Sequence, residues 1–172
     1  MKYVYWPFIK LDTGYSIPDK LLLDIWNDIV AEGRNKIAFY GGGIETFKDF
    51  IAYLTKPTNH FVFIADTEKK KIVFMAWMNN IQGKTAFVHF CGIGHGTYRH
   101  AIGRLVLDYW ERMNIFDVVM ATIPETNTTA LKLIKPLGFV EIGTIPMLCH
   151  LHYENKTVGG VVSYYLMGGQ NG

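Results

Sequence analysis

The residues best suited to chemistry lie in one stretch, Phe87 to Met113, FVHFCGIGHGTYRHAIGRLVLDYWERM. An apolar run, Phe87-Val88-His89-Phe90-Cys91, passes through Gly92, Gly94 and Gly96. It enters a segment whose apolar residues, Ile102, Leu105, Val106, Tyr109, Trp110 and Met113, recur at the spacing of one helix face. The pattern reads strand, glycine loop, helix. A helix start exposes unpaired backbone N–H groups and a partial positive charge, so it suits an anion such as a phosphate. Arg99, His100 and Arg104 fall in the first turns and would add donors. The expectation is a phosphate-bearing ligand on this turn. The alternative is a turn whose glycines serve close packing alone.

Two sharper phosphate motifs are absent. A dinucleotide fingerprint begun at Gly92 needs its last glycine where Thr97 stands, and one begun at Gly94 needs it at Arg99. Gly83-Lys84-Thr85 lacks the earlier glycine of a P-loop. The net charge of +2, with lysines and arginines scattered, gives no footprint for nucleic acid or an anionic membrane. No apolar run approaches the roughly 20 residues of a membrane span, and no signal peptide is apparent. Two cysteines, Cys91 and Cys149, in apolar surroundings read as reduced, buried thiols of a cytoplasmic protein.

The elements that must position this stretch read as one domain of 172 residues, with residues 168–172 as a flexible tail. Lys2–Lys10, interrupted by Pro7, reads as an edge strand. Pro18 opens a helix striped by Leu22, Ile25, Trp26, Ile29 and Val30, which Gly33 stops. Arg34–Gly43 reads as a flexible aromatic segment, and a helix faced by Phe47, Phe50, Ile51 and Leu54 follows. His60–Asp66, Lys71–Asn79 and Thr85–Cys91 are strands joined by short turns, hence an antiparallel meander. After the long helix, Phe116–Ile123 reads as a buried central strand. Thr126 is placed to cap a helix faced by Ala130, Leu133, Ile134 and Leu137, with Gly138 as its left-handed exit. Phe139–Met147 and Thr157–Met167 are the last strands. The order β-α-α-β-β-β-α-β-α-β-β predicts an α/β fold with a mixed sheet.

Asn127-Thr-Thr-Ala130, ending in Leu137-Gly138-Phe139, resembles the N-x-x-A…L-G-F helix-to-strand motif of the GNAT family, the acyl-CoA-dependent N-acetyltransferases. Tyr98-Arg99-His100-Ala101-Ile102-Gly103 falls where that family carries its acyl-CoA loop, R/Q-x-x-G-x-G/A, and the element order is the same. The resemblance implies acetyl-CoA, or another acyl-CoA, as co-substrate, with no metal. Carried over by position, Tyr98, Arg99, His100, Ala101, Ile102 and Gly103 would hold its pyrophosphate. The strand ending near Cys91 would splay from Val118–Ile123, and the pantetheine would lie between them, with Asn127 near its sulfur. Asn127 reads equally as an ordinary helix-start residue. The departures are Tyr98 for the usual Arg or Gln, Ala101 for the first signature glycine, and Ile134 where a tyrosine acid often stands. Pro136 is expected to disturb its helix's last turn and push Lys135 out of helical geometry. Such divergence resembles that of phage-encoded members.

The activity implied is direct transfer of an acyl group to a primary amine of a protein or small molecule. The alternative is a non-catalytic module of the same fold, structural or regulatory. Candidate proton carriers are His89, which faces either core or cleft, and Glu125, a base through water or a surface carboxylate. Tyr153 would replace the missing acid if its hairpin folds over the cleft. His95 reads as solvated, and His150 and His152 as parts of an exposed hairpin with no third metal ligand. The acceptor would sit between Arg34–Gly43 and Cys149–Lys156. Neither segment holds an acidic cluster, which favours a protein amine or a small, weakly charged one over a polycation. A dimer is compatible with the sequence, which does not specify the oligomeric state.

Overall fold

The computed structural model describes residues 2–94 and 100–168. The chain opens with β1 (Tyr3–Pro7) and a short hairpin, β2 (Lys10–Leu11) and β3 (Gly14–Tyr15). Helices α1 (Asp19–Ala31), α2 (Arg34–Ala38) and α3 (Phe47–Leu54) follow. Next comes the meander β4 (His60–Asp66), β5 (Lys71–Gln82) and β6 (Thr85–Gly92). The second half runs α4 (His100–Met113), β7 (Val118–Pro124), α5 (Thr128–Ile134), β8 (Val140–Leu151) and β9 (Lys156–Leu166). Among the described residues the main sheet has seven strands in the order β1-β4-β5-β6-β7-β9-β8. Only the β6–β7 pair is parallel there, because α4 crosses over between them.

The alternation of side chains along the strands sends apolar residues to both faces of the sheet. On one face Phe63, Met75 and Trp77 meet Leu22 and Ile29 of α1 and Phe50 and Leu54 of α3. On the other, Val62, Ala76, Val88 and Val119 meet Ile102, Val106 and Trp110 of α4 and Ile134 of α5. The result is three layers, helix on sheet on helix. Gly103 lets the turn after α5 approach α4, since a Cβ there would meet Leu137 Cδ1 at 2.7 Å. The start of α3 is set by a capping box in which Thr46 Oγ1 accepts from the Asp49 N–H and Asp49 Oδ2 from the Thr46 N–H.

The expected mixed α/β sheet and its element order are present, with local differences. Arg34–Ala38, expected to be flexible, is a five-residue helix. Asn127, not Thr126, caps α5: its side-chain oxygen accepts from the Ala130 N–H at 3.1 Å. Pro136 does end the α-helix at Ile134, but Lys135 keeps right-handed helical geometry (φ −55°, ψ −53°) and opens a 3-10 turn, Lys135–Leu137. A tighter turn accommodates the proline without unwinding its neighbour. Gly138 takes the left-handed exit at φ 96°. The last strand pair reaches further than expected, to Leu151, with irregularities between Glu141 and Gly143 and between Ile145 and Cys149.

The sheet has one break in pairing at its centre. β6 and β7 share only three residue pairs, Thr85 with Val118, Ala86 with Val119 and Phe87 with Met120. Beyond them β6 stays on β5 to Gly92, and β7 stays on β9 to Pro124. The two central strands therefore part and leave a wedge.

Candidate active site

The wedge opens into a cavity of about 830 Å³. Its walls are Val88 to Gly92 of β6, Ala121 to Pro124 of β7, and Asn127, Ala130 and Ile134 from the α5 region. Arg34, Ala38 and Tyr40 bound it at the α2 end.

Strand alternation decides which backbone groups face the gap. The Ile93 N–H donates to Val73 O at 2.9 Å, so Ile93 and, two residues back, Cys91 and His89 point their amides at β5. Phe90 and Gly92 consequently turn theirs into the wedge. On the other wall the Glu125 N–H is bonded to Gly159 O at 2.9 Å, so Thr122 faces its amide to the gap. Pro124, at the strand's end, has no N–H to leave unpaired. The result is a set of main-chain donors beside an apolar slot.

The candidate cofactor residues fall as follows. Tyr98 and Arg99, with His95, lie outside the described residues. His100, Ala101, Ile102 and Gly103 form the first turn of α4. Ala101 is exposed, while Ile102 and Gly103 are buried in packing. The His100 ring bonds the Pro136 carbonyl, which ties the start of α4 to the turn after α5. Arg104 does not turn toward an anion. Its guanidinium reaches Asp108 Oδ1 (2.6 Å), Glu111 Oε2 (2.8 Å) and the Tyr165 hydroxyl (2.8 Å), a structural cluster on the side of α4. Cys91 lines the cavity with a buried thiol whose pKa is pushed up to about 12, chiefly by burial, so it stays protonated. Asn127 lines the cavity too; its oxygen is held by the cap, which does not engage its Nδ2 donors.

The candidate proton carriers separate. His89 lines the cavity and stacks on Trp77, ring centroids 4.8 Å apart at 11°. Its Nε2 lies 3.0 Å from Asn79 Oδ1. Burial lowers its pKa to about 4, so the ring is neutral at neutral pH. Glu125 is not on the cavity wall; its Oε1 accepts from the Gly159 N–H at 2.9 Å and fastens β9. Tyr153 is off the wall as well and donates to the Ile44 carbonyl at 3.3 Å. The structure brings together His89, Cys91 and Asn127, and leaves Glu125 and Tyr153 outside.

Tyr40 was not singled out from sequence, although the segment containing it was. Its ring lines the cavity, its hydroxyl lies 3.8 Å from Cys149 Sγ, and burial foremost pushes its pKa well up, so the phenol stays protonated. Its backbone oxygen accepts from the His152 N–H at 2.8 Å, which joins the α2 end of the cleft to the β8–β9 hairpin. His152 stands 3.4 Å from Glu45, and His150 bonds Thr157 at 3.3 Å. Among the described residues no group of three His, Cys, Asp or Glu is arranged to hold a metal, and no helix is long and apolar enough to cross a membrane.

No protein-family model matches the chain, and no curated protein matches it. Solved structures do. Spermidine N-acetyltransferase from Vibrio cholerae, in complex with CoA and spermine, superposes with a TM-score of 0.75 at 13% identity, covering 96% of each chain. Ribosomal-protein-S5-alanine acetyltransferase from Vibrio fischeri gives a TM-score of 0.72 at 15% identity, covering 98% of this chain and 94% of that one. At such identity the likeness speaks for architecture: the chain has the fold of the N-acetyltransferases.

Proposed function

We propose that this protein is an acyl-CoA-dependent N-acyltransferase that moves an acetyl group from acetyl-CoA to a primary amine. The observation that carries the reading is the parting of β6 from β7 after Phe87 and Met120. It frees amides on both walls, and an extended pantetheine amide chain needs such partners. The first turn of α4, with exposed Ala101, supports a pyrophosphate there. Ala101 adds one methyl to an exposed helical position, and its backbone N–H is as good a donor as a glycine's.

The thioester supplies an activated carbonyl. The residues around it do the rest. The N–H groups of Phe90 and Gly92 would polarise that carbonyl oxygen. Asn127 Nδ2 would hold the pantetheine near its sulfur. His89, neutral and open to the cleft, would receive the amine's proton. Tyr40, kept protonated, is the phenol among the described wall residues and would donate to the leaving thiolate, in a cleft where Ile134 offers no proton. Alignment alone accounts for a large share of such a rate.

The acceptor would enter from the α2 end. Glu32 is the only carboxylate among the described wall residues, and Arg34 is bonded to it. A polycation such as the spermine bound by the Vibrio cholerae enzyme asks for more negative charge than that. The wall of Ile37, Ala38 and Tyr40 favours a primary amine beside apolar groups, on a protein or a small molecule. Two free, buried thiols agree with a cytoplasmic setting. A second reading, a binding module without transfer chemistry, is favoured by Ile134 on the wall. The test is CoA release from acetyl-CoA with a panel of arylalkyl amines, amino-terminal peptides and polyamines. Release with any of them supports transfer. No release from a protein that binds acetyl-CoA supports the second reading.

A further inference from the structure

A chain of hydrogen bonds stands behind His89. Asn79 of β5 faces Phe87 of β6 and sits two residue pairs along from Trp77, which faces His89, so the two side chains share one face of the sheet. Asn79 Nδ2 donates to the Tyr53 hydroxyl at 2.9 Å, and Trp77 Nε1 donates to the same oxygen at 3.1 Å. Asn79 Oδ1 is thereby turned to His89 Nε2, 3.0 Å away. An amide oxygen only accepts, so with Asn79 in this orientation Nε2 carries the proton and Nδ1 the lone pair. Nδ1 has no hydrogen bond within the described residues, and no unpartnered polar side-chain atom there is sealed from solvent, so it keeps some contact with solvent on a residue that lines the cavity.

We infer that Asn79, fixed by Tyr53 and Trp77, is a positioning residue that sets the His89 tautomer and aims the unprotonated Nδ1 at the acceptor amine. This rests on the transfer reading above. In the transfer the amine nitrogen bonds to the acyl carbon and the carbon–sulfur bond breaks. The nitrogen's proton passes to Nδ1, and the departing thiolate takes one from Tyr40 or solvent. Trp77 holds the ring plane while Asn79 chooses which nitrogen is bare. The wrong tautomer would present an N–H to the amine and would block the step.

The test is the ¹⁵N spectrum of histidine-labelled full-length protein near neutral pH, read beside kinetics with whichever amine supports CoA release. Expected are a protonated Nε2 and a bare Nδ1 for His89. In Asn79→Leu the two tautomers should mix, with kcat down roughly tenfold or more and the KM for acetyl-CoA unchanged. Tyr53→Phe, which keeps the ring and frees the amide, should mix them as well and serves if Asn79→Leu fails to fold. A wild-type His89 protonated at Nδ1 would overturn the inference, because it means the amide is turned the other way. So would a mixed tautomer with unchanged kcat. Neither result touches acetyl-CoA binding, which stands or falls separately.

Discussion

The two faces of the central sheet offer different kinds of groups. On the α4–α5 face, assigned to acyl-CoA, the polar side chains are already engaged: Arg104 with Asp108, Glu111 and Tyr165, His100 with Pro136, and the Asn127 oxygen with Ala130. Main-chain N–H groups, which any residue supplies, then make up much of what this face offers, with Asn127 Nδ2 beside them. On the α1–α3 face the groups on the cavity wall are half-buried side chains, His89 and Tyr40, each set by particular neighbours. Recognition by backbone tolerates substitutions such as Ala101, whereas recognition by side chains does not. On the proposed reading, sequence drift on the α4–α5 face leaves co-substrate binding intact, while a change of side chain on the α1–α3 face alters the acceptor.

The comparison breaks most readily at the core of the acceptor face. Phe50 is fully buried among Trp26 and Phe39. Phe50→Ala should cost about 3–5 kcal/mol in chemical denaturation, while whatever protein remains folded keeps its response to acetyl-CoA. If that response vanishes with the α1–α3 face, the two faces are not separable.

Acid comes next. The folded pKa of His89, about 4, lies below the ordinary 6.5, so the unfolded chain binds its proton first as pH falls. Stability is therefore lost between about pH 6.5 and 4, by as much as about 3 kcal/mol for this group. His89→Gln should remove that part of the acid sensitivity. It should also lower kcat roughly 100-fold and leave acetyl-CoA binding intact. An unchanged acid profile would mean that the ring is not desolvated as the cleft geometry implies.

A smaller effect sharpens the cofactor side. Asn127→Ala removes the cap of α5 and should cost about 1 kcal/mol, with a rise in the KM for acetyl-CoA from the lost Nδ2 donors. A stability change without a KM change would make Asn127 a cap only.

How much of this was legible depends on how local the signal is. The periodicity of α4 and α3 and the meander were readable because each lies within one window of sequence. Helix α2 was not. Five residues, Arg34-Asn35-Lys36-Ile37-Ala38, are too few to show a period, and its buried Asn35 looks like a loop residue. The fate of Arg104 was readable in principle, since Asp108 stands four residues on, the spacing of an intrahelical ion pair; its place near the helix start drew attention to an anion instead. The parting of β6 and β7 has no residue code, because nothing in either strand forbids a fourth pair; only the family resemblance anticipated it. The Tyr53–Asn79–His89 chain needed the β5–β6 register, which brings together residues 10 apart on neighbouring strands.

The direct measurement is thermal unfolding with and without acetyl-CoA, for the natural protein and for Ala101→Asp. An exposed carboxylate in the first turn of α4 suits the helix, worth about 0.3–1 kcal/mol, but repels a pyrophosphate. Expected for the natural protein at 100-fold excess over Kd is about 2.7 kcal/mol of stabilisation, or a Tm rise of about 5–10 °C. Expected for Ala101→Asp is an intact fold with no rise. No rise in the natural protein at millimolar acetyl-CoA, or an equal rise in both, would contradict an acyl-CoA site between β6 and β7.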